Sequence, residues 1–154
     1  MVILYIAAIV AANLSVAAFG PWVTPINAFL LIGLDLSLRD RLHLRLSPLQ
    51  MGAMILGAGA ISFLLNPDAG RIAAASAISF VVAGVADWAV FAALSRSSWL
   101  RRSNCSNVAG AAVDSLVFPT LAFGGLMPGI VAAQFAAKVA GGALWSLILH
   151  RRAA

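Results

Sequence analysis

Six long apolar runs, separated by short polar or turn-forming segments, dominate this chain of 154 residues. A run of about 20 apolar residues spans the hydrocarbon core of a bilayer as an α-helix. The alternating segments of about 10 residues that build a transmembrane β-barrel are absent. We therefore predict an all-α integral membrane protein with six transmembrane helices. The predicted helices cover about residues 2–19, 22–38, 48–65, 72–95, 105–126 and 130–149 of a single transmembrane domain, 1–154.

The composition excludes a water-soluble protein, because 62% of the residues are hydrophobic and only 10% are charged. Soluble globular chains carry about 25% charged residues. The basic residues form short clusters between the apolar runs, so no continuous surface for a nucleic acid is expected. With Cys105 as the single cysteine, the chain can build neither an internal disulfide nor a cysteine-based metal site. No cofactor or metal is expected.

The arginines predict the orientation in the membrane, because basic residues near helix ends are kept on the cytoplasmic side. Eight arginines fall in the second-to-third connection, the fourth-to-fifth connection and the C-terminal tail, whereas the other three connections hold Arg71 alone. We therefore expect a multi-pass protein of the cell inner (plasma) membrane with both termini in the cytoplasm. No basic residue precedes the first run, so it is expected to be a helix and not a cleaved signal. The eight arginines are Arg39, Arg41, Arg45, Arg96, Arg101, Arg102, Arg151 and Arg152.

Polar side chains inside the runs are candidates for function, because each is costly in lipid unless it faces the bundle or a wet cavity. Asp114 and Lys138 each lie about ten residues from a helix end, hence ~15 Å deep at ~1.5 Å of rise per residue. They belong to antiparallel neighbours joined by a tight turn, so we predict that they pair. Such a pair could line a binding site or only fix the register of two helices. The other polar residues are Asn13, Asn27, Asp35, Asp87 and Gln134.

Two further charged groups allow two interpretations each. Asp35 and Asp87 lie toward the cytoplasmic ends of the second and fourth helices, and Asp35 is spaced i, i+4 from Arg39. These residues either form a gate or are interface-level charges that pair with loop arginines. Arg71, the one outer cation, either anchors the end of the fourth helix or meets an incoming substrate.

Five segments in order carry a resemblance to a known family. Residues 104–123 contain Val113-Asp114-Ser115-Leu-Val-Phe118 and end in Ala-Phe123, which resembles the signature of the VUT family of vitamin uptake transporters. The characterised branch of that family imports queuosine precursors. The other four segments also resemble the family's pattern, although this chain has short loops. They are Asp35-Leu-Ser-Leu-Arg39, Arg71-Ile-Ala-Ala-Ala-Ser76, Asp87-Trp-Ala-Val-Phe91 and Lys138.

The resemblance implies a six-helix fold like that of the substrate-binding subunits of energy-coupling-factor importers, and import of a 7-deazaguanine base. A site for such a base needs polar groups for its hydrogen-bonding edge and carbonyl, and an apolar or aromatic slot for its ring. We predict a midplane pocket reached from outside. The predicted substrate-binding residues are Asp114, Lys138, Gln134, Asn107, Phe118 and Arg71, and the predicted gate residues are Asp35, Arg39 and Asp87.

Other functions stay open at this point. The pocket could take another small planar, vitamin-like or purine-like solute, or the chain could be an accessory membrane subunit that transports nothing. An enzyme is not expected, because the histidines, His43 and His150, lie in a predicted loop and near the chain end. The expected partners are a deazapurine-like small molecule and the lipid bilayer, without nucleic acid, and both a monomer and a homodimer fit the sequence.

Overall fold

The computed structural model describes residues 1–151, without the side chains of Asp40, His43, His150 and Arg151. Within this range the chain forms six helices that are long and apolar enough to cross a membrane. The predicted six-helix membrane fold is confirmed. Arg152, one of the cations used to predict orientation, lies outside the described residues. The helices are α1 (Val2–Phe19), α2 (21–43), α3 (Pro48–Leu65), α4 (Gly70–Ala93), α5 (Trp99–Phe123) and α6 (Pro128–Arg151).

Short turns with clear local causes end the helices, so consecutive helices run antiparallel. Gly20 (φ 73°) ends α1 and Gly124 (φ 80°) ends α5, both in the backbone region that favours glycine. Ser47 begins α3 with a reciprocal capping box to Gln50. We call the end of the bundle that contains segments 44–47 and 94–98 the arginine-rich end. The opposite end contains segments 66–69 and 124–127.

The second helix is irregular in a way that no apolar pattern signals. It begins as a 3₁₀ turn (Pro21–Val23), continues as α-helix (Thr24–Asn27), widens into a π-helix (Ala28–Ile32) and returns to α-helix (Gly33–His43). The indole nitrogen of Trp145 on α6 donates to the carbonyl oxygen of Leu30 in the π segment over 3.1 Å. Such π segments occur often at functional sites.

Two predicted helix boundaries were wrong by five or six residues, because arginines were taken to end helices. α2 continues past residue 38 to His43, and α5 begins at Trp99 and not near residue 105. Arg39 stays helical because its side chain is buried among the helices. Arg102 stays helical because its guanidinium lies over the Phe91 ring, 3.9 Å from the centroid. Of the other ends, α5 ends at Phe123, three residues before the predicted residue 126, whereas α4 covers 70–93 and α6 begins at Pro128, each shifted by two residues.

Polar side chains are buried inside the bundle and many large apolar ones are exposed on its outside, the reverse of a soluble protein. Lys138 and Gln134 are 1% exposed, for example, while Leu49 and Ile3 are 84% exposed. This arrangement suits a surrounding of lipid. α4 packs along the length of α5, α6 packs against α5 and α2, and α1 packs against α3.

Candidate functional site

A narrow cavity lined by both polar and apolar side chains, which we call the central cavity, lies where five of the six helices meet. The polar residues that line it lie three to ten residues from the ends of their helices at the opposite end of the bundle, which places it from ~5 to ~15 Å below that end. Its lining residues are Ala12, Asn13 and Val16 of α1; Thr24, Asn27, Ala28 and Ile32 of α2; Ser76 and Phe80 of α4; Asp114 and Phe118 of α5; and Gln134 and Lys138 of α6.

The ammonium group of Lys138 is the centre of the polar wall. Its Nζ lies 2.7 Å from Asp114 Oδ2, so the pair predicted from helix register is present. The same nitrogen donates to Gln134 Oε1 over 2.8 Å and to Ser115 Oγ over 3.1 Å. An ammonium has three N–H donors, and here each has an acceptor. This arrangement allows a charged lysine to remain buried at this depth.

The partners of Lys138 are themselves held in place. The Ser79 hydroxyl donates to Asp114 Oδ1, the oxygen that Lys138 does not contact. Gln134 Nε2 donates to Thr24 Oγ1 over 3.0 Å, which ties α6 to the first turns of α2. Pro119 lies in α5 without an N–H, so the carbonyl of Ser115 lacks its usual helical donor beside this network. The polar wall is therefore positioned by four helices before any solute binds.

Two amide side chains on the other wall present carbonyl oxygens. Asn13 Nδ2 donates to Ser62 Oγ over 3.1 Å, and Asn27 Nδ2 donates to Ser15 Oγ over 2.7 Å. Ser62 and Ser15 already donate their own protons to backbone carbonyls, so each hydroxyl can only accept from its asparagine. This fixes which end of each amide is nitrogen. The Oδ1 atoms of Asn13 and Asn27, residues that both line the cavity, are thereby left able to accept hydrogen bonds.

The size of the central cavity limits what it holds as it stands. Its free volume is about 30 Å³, which is room for one or two water molecules. A planar bicyclic ring fits only if the helices or side chains around the cavity move apart. The apolar part of the wall, which includes Phe118, Val16 and Phe80, offers surfaces against which such a ring could pack.

The structure brings four of the six predicted substrate-binding residues to this cavity and separates the other two from it. Asp114, Lys138, Gln134 and Phe118 line it. Asn107 lies two turns nearer the arginine-rich end of α5, where its Nδ2 is 3.4 Å from Ser146 Oγ. Arg71 is exposed at the opposite end, and its Nε donates to the carbonyl of Leu121 near the end of α5 over 3.4 Å.

The three predicted gate residues form a separate buried cluster toward the arginine-rich end. Arg39 Nη2 lies 2.9 Å from Asp35 Oδ2, and both side chains are at most 1% exposed. Asp87 is fully buried beside Arg39 and Ser106, and the Tyr5 hydroxyl approaches the guanidinium from α1. Arg39 is therefore no loop residue, and the partner of Asp35 lies one turn away in the same helix. The guanidinium also stacks on Phe80, 5.4 Å from the ring centroid.

Comparison with known proteins identifies the family of the chain. The model of the family described as "Putative vitamin uptake transporter" matches residues 2–150. The chain belongs to this family. No curated protein and no solved structure is similar enough to count as a match. The likeness to the substrate-binding subunits of energy-coupling-factor importers therefore stays a prediction.

In this vitamin uptake transporter family member, the segments that carry the family resemblance lie around the two polar clusters. Asp114 and Phe118 of the fifth-helix segment line the central cavity, as does Ser76 of the fourth-helix segment. Asp35 and Arg39 of the second-helix segment form the buried ion pair. Most of the polar residues in these segments thus lie in the interior of the bundle, whereas Arg71 is exposed at its opposite end.

The sequence analysis missed several residues of the site. Asn13 and Asn27 were recognised as polar groups in the membrane but were not assigned to the pocket, and Thr24 and Phe80 were not singled out. The signal for the asparagines was present, because an amide in a transmembrane run already calls for a partner. Nothing in the sequence marks Thr24 or Phe80, which line the cavity only because of how α2 and α4 pack.

Proposed function

We propose that this chain imports a queuosine precursor, a 7-deazaguanine base, across the cell inner membrane. The observation that carries the proposal is the central cavity, whose wall includes both the Asp114–Lys138 pair and the amide side chains of Asn13 and Asn27. Membership in the vitamin uptake transporter family supports transport of a small solute. The choice of the solute rests on the chemistry of the wall and on the family resemblance.

The cavity offers the donors and acceptors that such a base requires. The ring N–H and exocyclic amine of a guanine-like edge are donors, which suit Asn13 Oδ1, Asn27 Oδ1 and the Asp114 carboxylate. The carbonyl of the base is an acceptor, which suits the Lys138 ammonium. Phe118 lies on the wall where the flat ring can pack.

The charge of the wall favours an uncharged solute. Asp114 and Lys138 neutralise each other, so the cavity presents dipoles but no net charge. A buried ion would need a counter-charge, whereas a neutral base needs only hydrogen bonds. Binding therefore exchanges bonds within the wall for bonds to the base, and the ion pair itself can stay intact.

The direction of transport follows from the proposed orientation. If the arginine-rich end is cytoplasmic, the central cavity lies nearer the outer face, with Arg71 at its entrance and with Asp35, Arg39 and Asp87 as the gate on the inner side. A solute would then reach the cavity from outside and leave past the buried charged cluster. Fusing a reporter that is active only in the cytoplasm to each terminus tests the orientation. Both fusions are expected to be active.

Queuosine formation in a strain that lacks its own importer tests the function directly. Expression of this chain is expected to restore queuosine in transfer RNA when a 7-deazaguanine precursor is supplied. Asp114→Asn is expected to abolish the rescue, whereas Asp68→Asn, which changes an exposed loop carboxylate, should not. The proposal fails if the purified protein binds no deazapurine and Asp114→Asn supports normal uptake.

A second candidate is another planar vitamin-like or purine-like solute in the same cavity. It is favoured by the family description, which names vitamins without specifying one. Competition of uptake by purines, pteridines and vitamins separates the two candidates. A deazapurine that competes better than the whole panel supports the first proposal. A non-transporting accessory subunit would show no uptake of any of them.

A further inference from the structure

A second cavity lies between α3 and α4 in the arginine-rich half of the bundle. It is open on the side that faces lipid, where Val81, Val85 and Trp88 are 48%, 63% and 56% exposed. Its free volume is about 340 Å³, roughly ten times that of the central cavity. A cavity of this size can hold a small ligand. We call it the inner cavity, and its lining residues are Arg39, Pro48, Met51, Gly52, Ile55, Phe80, Val81, Gly84, Val85 and Trp88.

Phe80 is the residue that lines both cavities. Its side chain is 3% exposed, so the ring fills the space where the two cavities meet. It lies ten residues from the start of α4, near the middle of the membrane. The Phe80 side chain therefore lies between the two spaces.

Arg39 holds the Phe80 ring from the inner side. Its guanidinium lies 5.4 Å from the ring centroid and is fixed by the ion pair with Asp35. The Nε atom of Arg39 has no hydrogen-bond partner among the described residues, although it is buried. At Gly84, which also lines the inner cavity, an added Cβ would lie 3.6 Å from Arg39 Nη1. The guanidinium thus lies buried behind the wall of the inner cavity, next to Phe80 and with a donor that no described residue accepts.

We infer that the inner cavity is the release compartment for the transported solute and that Phe80, held by Arg39, is the partition between the two compartments. The inference rests on the proposed transport function and adds the path by which the solute leaves. Its occupant is the same planar solute, because the inner cavity adjoins the central cavity at Phe80. Trp88 on the cavity wall offers a ring on which the planar solute can stack.

A second carboxylate lies where it could pair with Arg39 when the guanidinium moves away from the Phe80 ring. Asp87 lies on α4 two turns beyond Phe80 and close to Arg39. A guanidinium that turned from Asp35 toward Asp87 would keep a charge partner while leaving the ring. Phe80 could then rotate without exposing an unpaired charge.

Thiol labelling from one face of the membrane tests the partition without any solute. In a Cys105→Ser background, Ala12→Cys places a thiol on the wall of the central cavity, and an impermeant methanethiosulfonate is added at the arginine-rich face of vesicles. Adding Phe80→Ala is expected to raise the labelling rate by at least about tenfold. This is the rise expected if the path past residue 80 is open in a few per cent of the parent molecules and in most of the variant molecules. Phe91→Ala is the matched control, because Phe91 is equally buried on α4 but lines neither cavity.

The result that overturns the inference is an equal labelling rate in the Phe80→Ala protein, the Phe91→Ala protein and the parent. Phe80→Leu, a milder change, gives the same test if Phe80→Ala does not fold. Labelling needs no solute, so a rise in the Phe80→Ala protein together with a failed rescue of queuosine would reject the deazapurine and keep the path.

Protection of a thiol in the inner cavity tests its occupant. Gly52→Cys lines that cavity with room around it, since no atom lies within 4 Å of the added Cβ position. A 7-deazaguanine base is expected to slow its labelling. Slowing by added phospholipid together with no effect of the base would show that the inner cavity holds lipid, and would overturn the inference.

Discussion

Lys138 Nζ lies 2.7 Å from Asp114 Oδ2, and this ion pair joins α5 to α6 with side chains that are 1% and 5% exposed. The pair fixes the register of the two helices and also lines the central cavity. The two interpretations left open by the sequence are thus not exclusive. A single contact can set the helix packing and present polar atoms to a solute.

Removing one charge of the pair should be more harmful than removing both. Lys138→Met alone leaves a buried carboxylate without its counter-charge, and we expect a loss of about 3 kcal/mol or more in the free energy of unfolding. Lys138→Met combined with Asp114→Asn should recover most of that stability but no uptake. Thermal unfolding of detergent-purified variants and uptake in cells measure the two effects. A double variant that is no more stable than Lys138→Met alone would contradict the expectation that one unpaired buried charge is the source of the lost stability.

The sequence was sufficient to predict the ion pair but not the rest of the cavity, for a geometric reason. Run length and helical rise set the depth of each residue. Two opposite charges at equal depth on adjacent helices are expected to pair, because each is costly alone in lipid. The same argument fails for Asn107, seven residues before Asp114, because ~10 Å of rise carries it to another layer. Depth alone also cannot show which residues of α1, α2 or α4 line the cavity, since most positions around these helices are apolar.

The irregular α2 shows a second limit of the sequence. The π segment Ala28–Ile32 forms where α6 approaches so closely that a Cβ on Gly33 would lie 2.7 Å from the carbonyl carbon of Gly141. Glycines in membrane helices allow close packing, but their positions in the sequence do not indicate which helices meet. That information lies in the tertiary packing.

Gly141→Ala should destabilise the fold strongly. A Cβ at this position would overlap the carbonyl oxygen of Phe29, which belongs to the backbone and cannot turn aside. Overpacking of this kind costs about 1–3 kcal/mol, and a chain of this size then loses roughly 3–10 °C of Tm. Gly57→Ala on α3 is the matched control, since no atom lies within 4 Å of its added Cβ. Equal melting temperatures of the two variants would show that α2 and α6 are farther apart than described.

Replacing Arg71 should separate its two proposed roles. The side chain holds the end of α5 through the Leu121 carbonyl, and an added Cβ on Gly124 would lie 2.9 Å from Arg71 Nη2. If Arg71 also meets the solute at the entrance, Arg71→Gln should raise the KM for uptake several-fold with little change in maximal rate. If it only holds the helix end, the KM should stay unchanged while Tm falls. Uptake kinetics and thermal unfolding of the same variant distinguish these outcomes.

The two asparagines allow the sharpest test of the central cavity, because they hold no charge and bridge only to neighbouring helices. Asn13→Ala and Asn27→Ala each remove one carbonyl oxygen from the wall. Loss of one hydrogen bond to a buried solute should weaken binding by about tenfold. The matched control is Asn104→Ala, which removes an amide bonded to the Leu100 carbonyl outside the cavity and should leave the Kd unchanged. Calorimetric titration of the purified variants with a 7-deazaguanine base gives each Kd. Unchanged Kd values for both cavity variants would mean that the base binds elsewhere, even if uptake itself were confirmed.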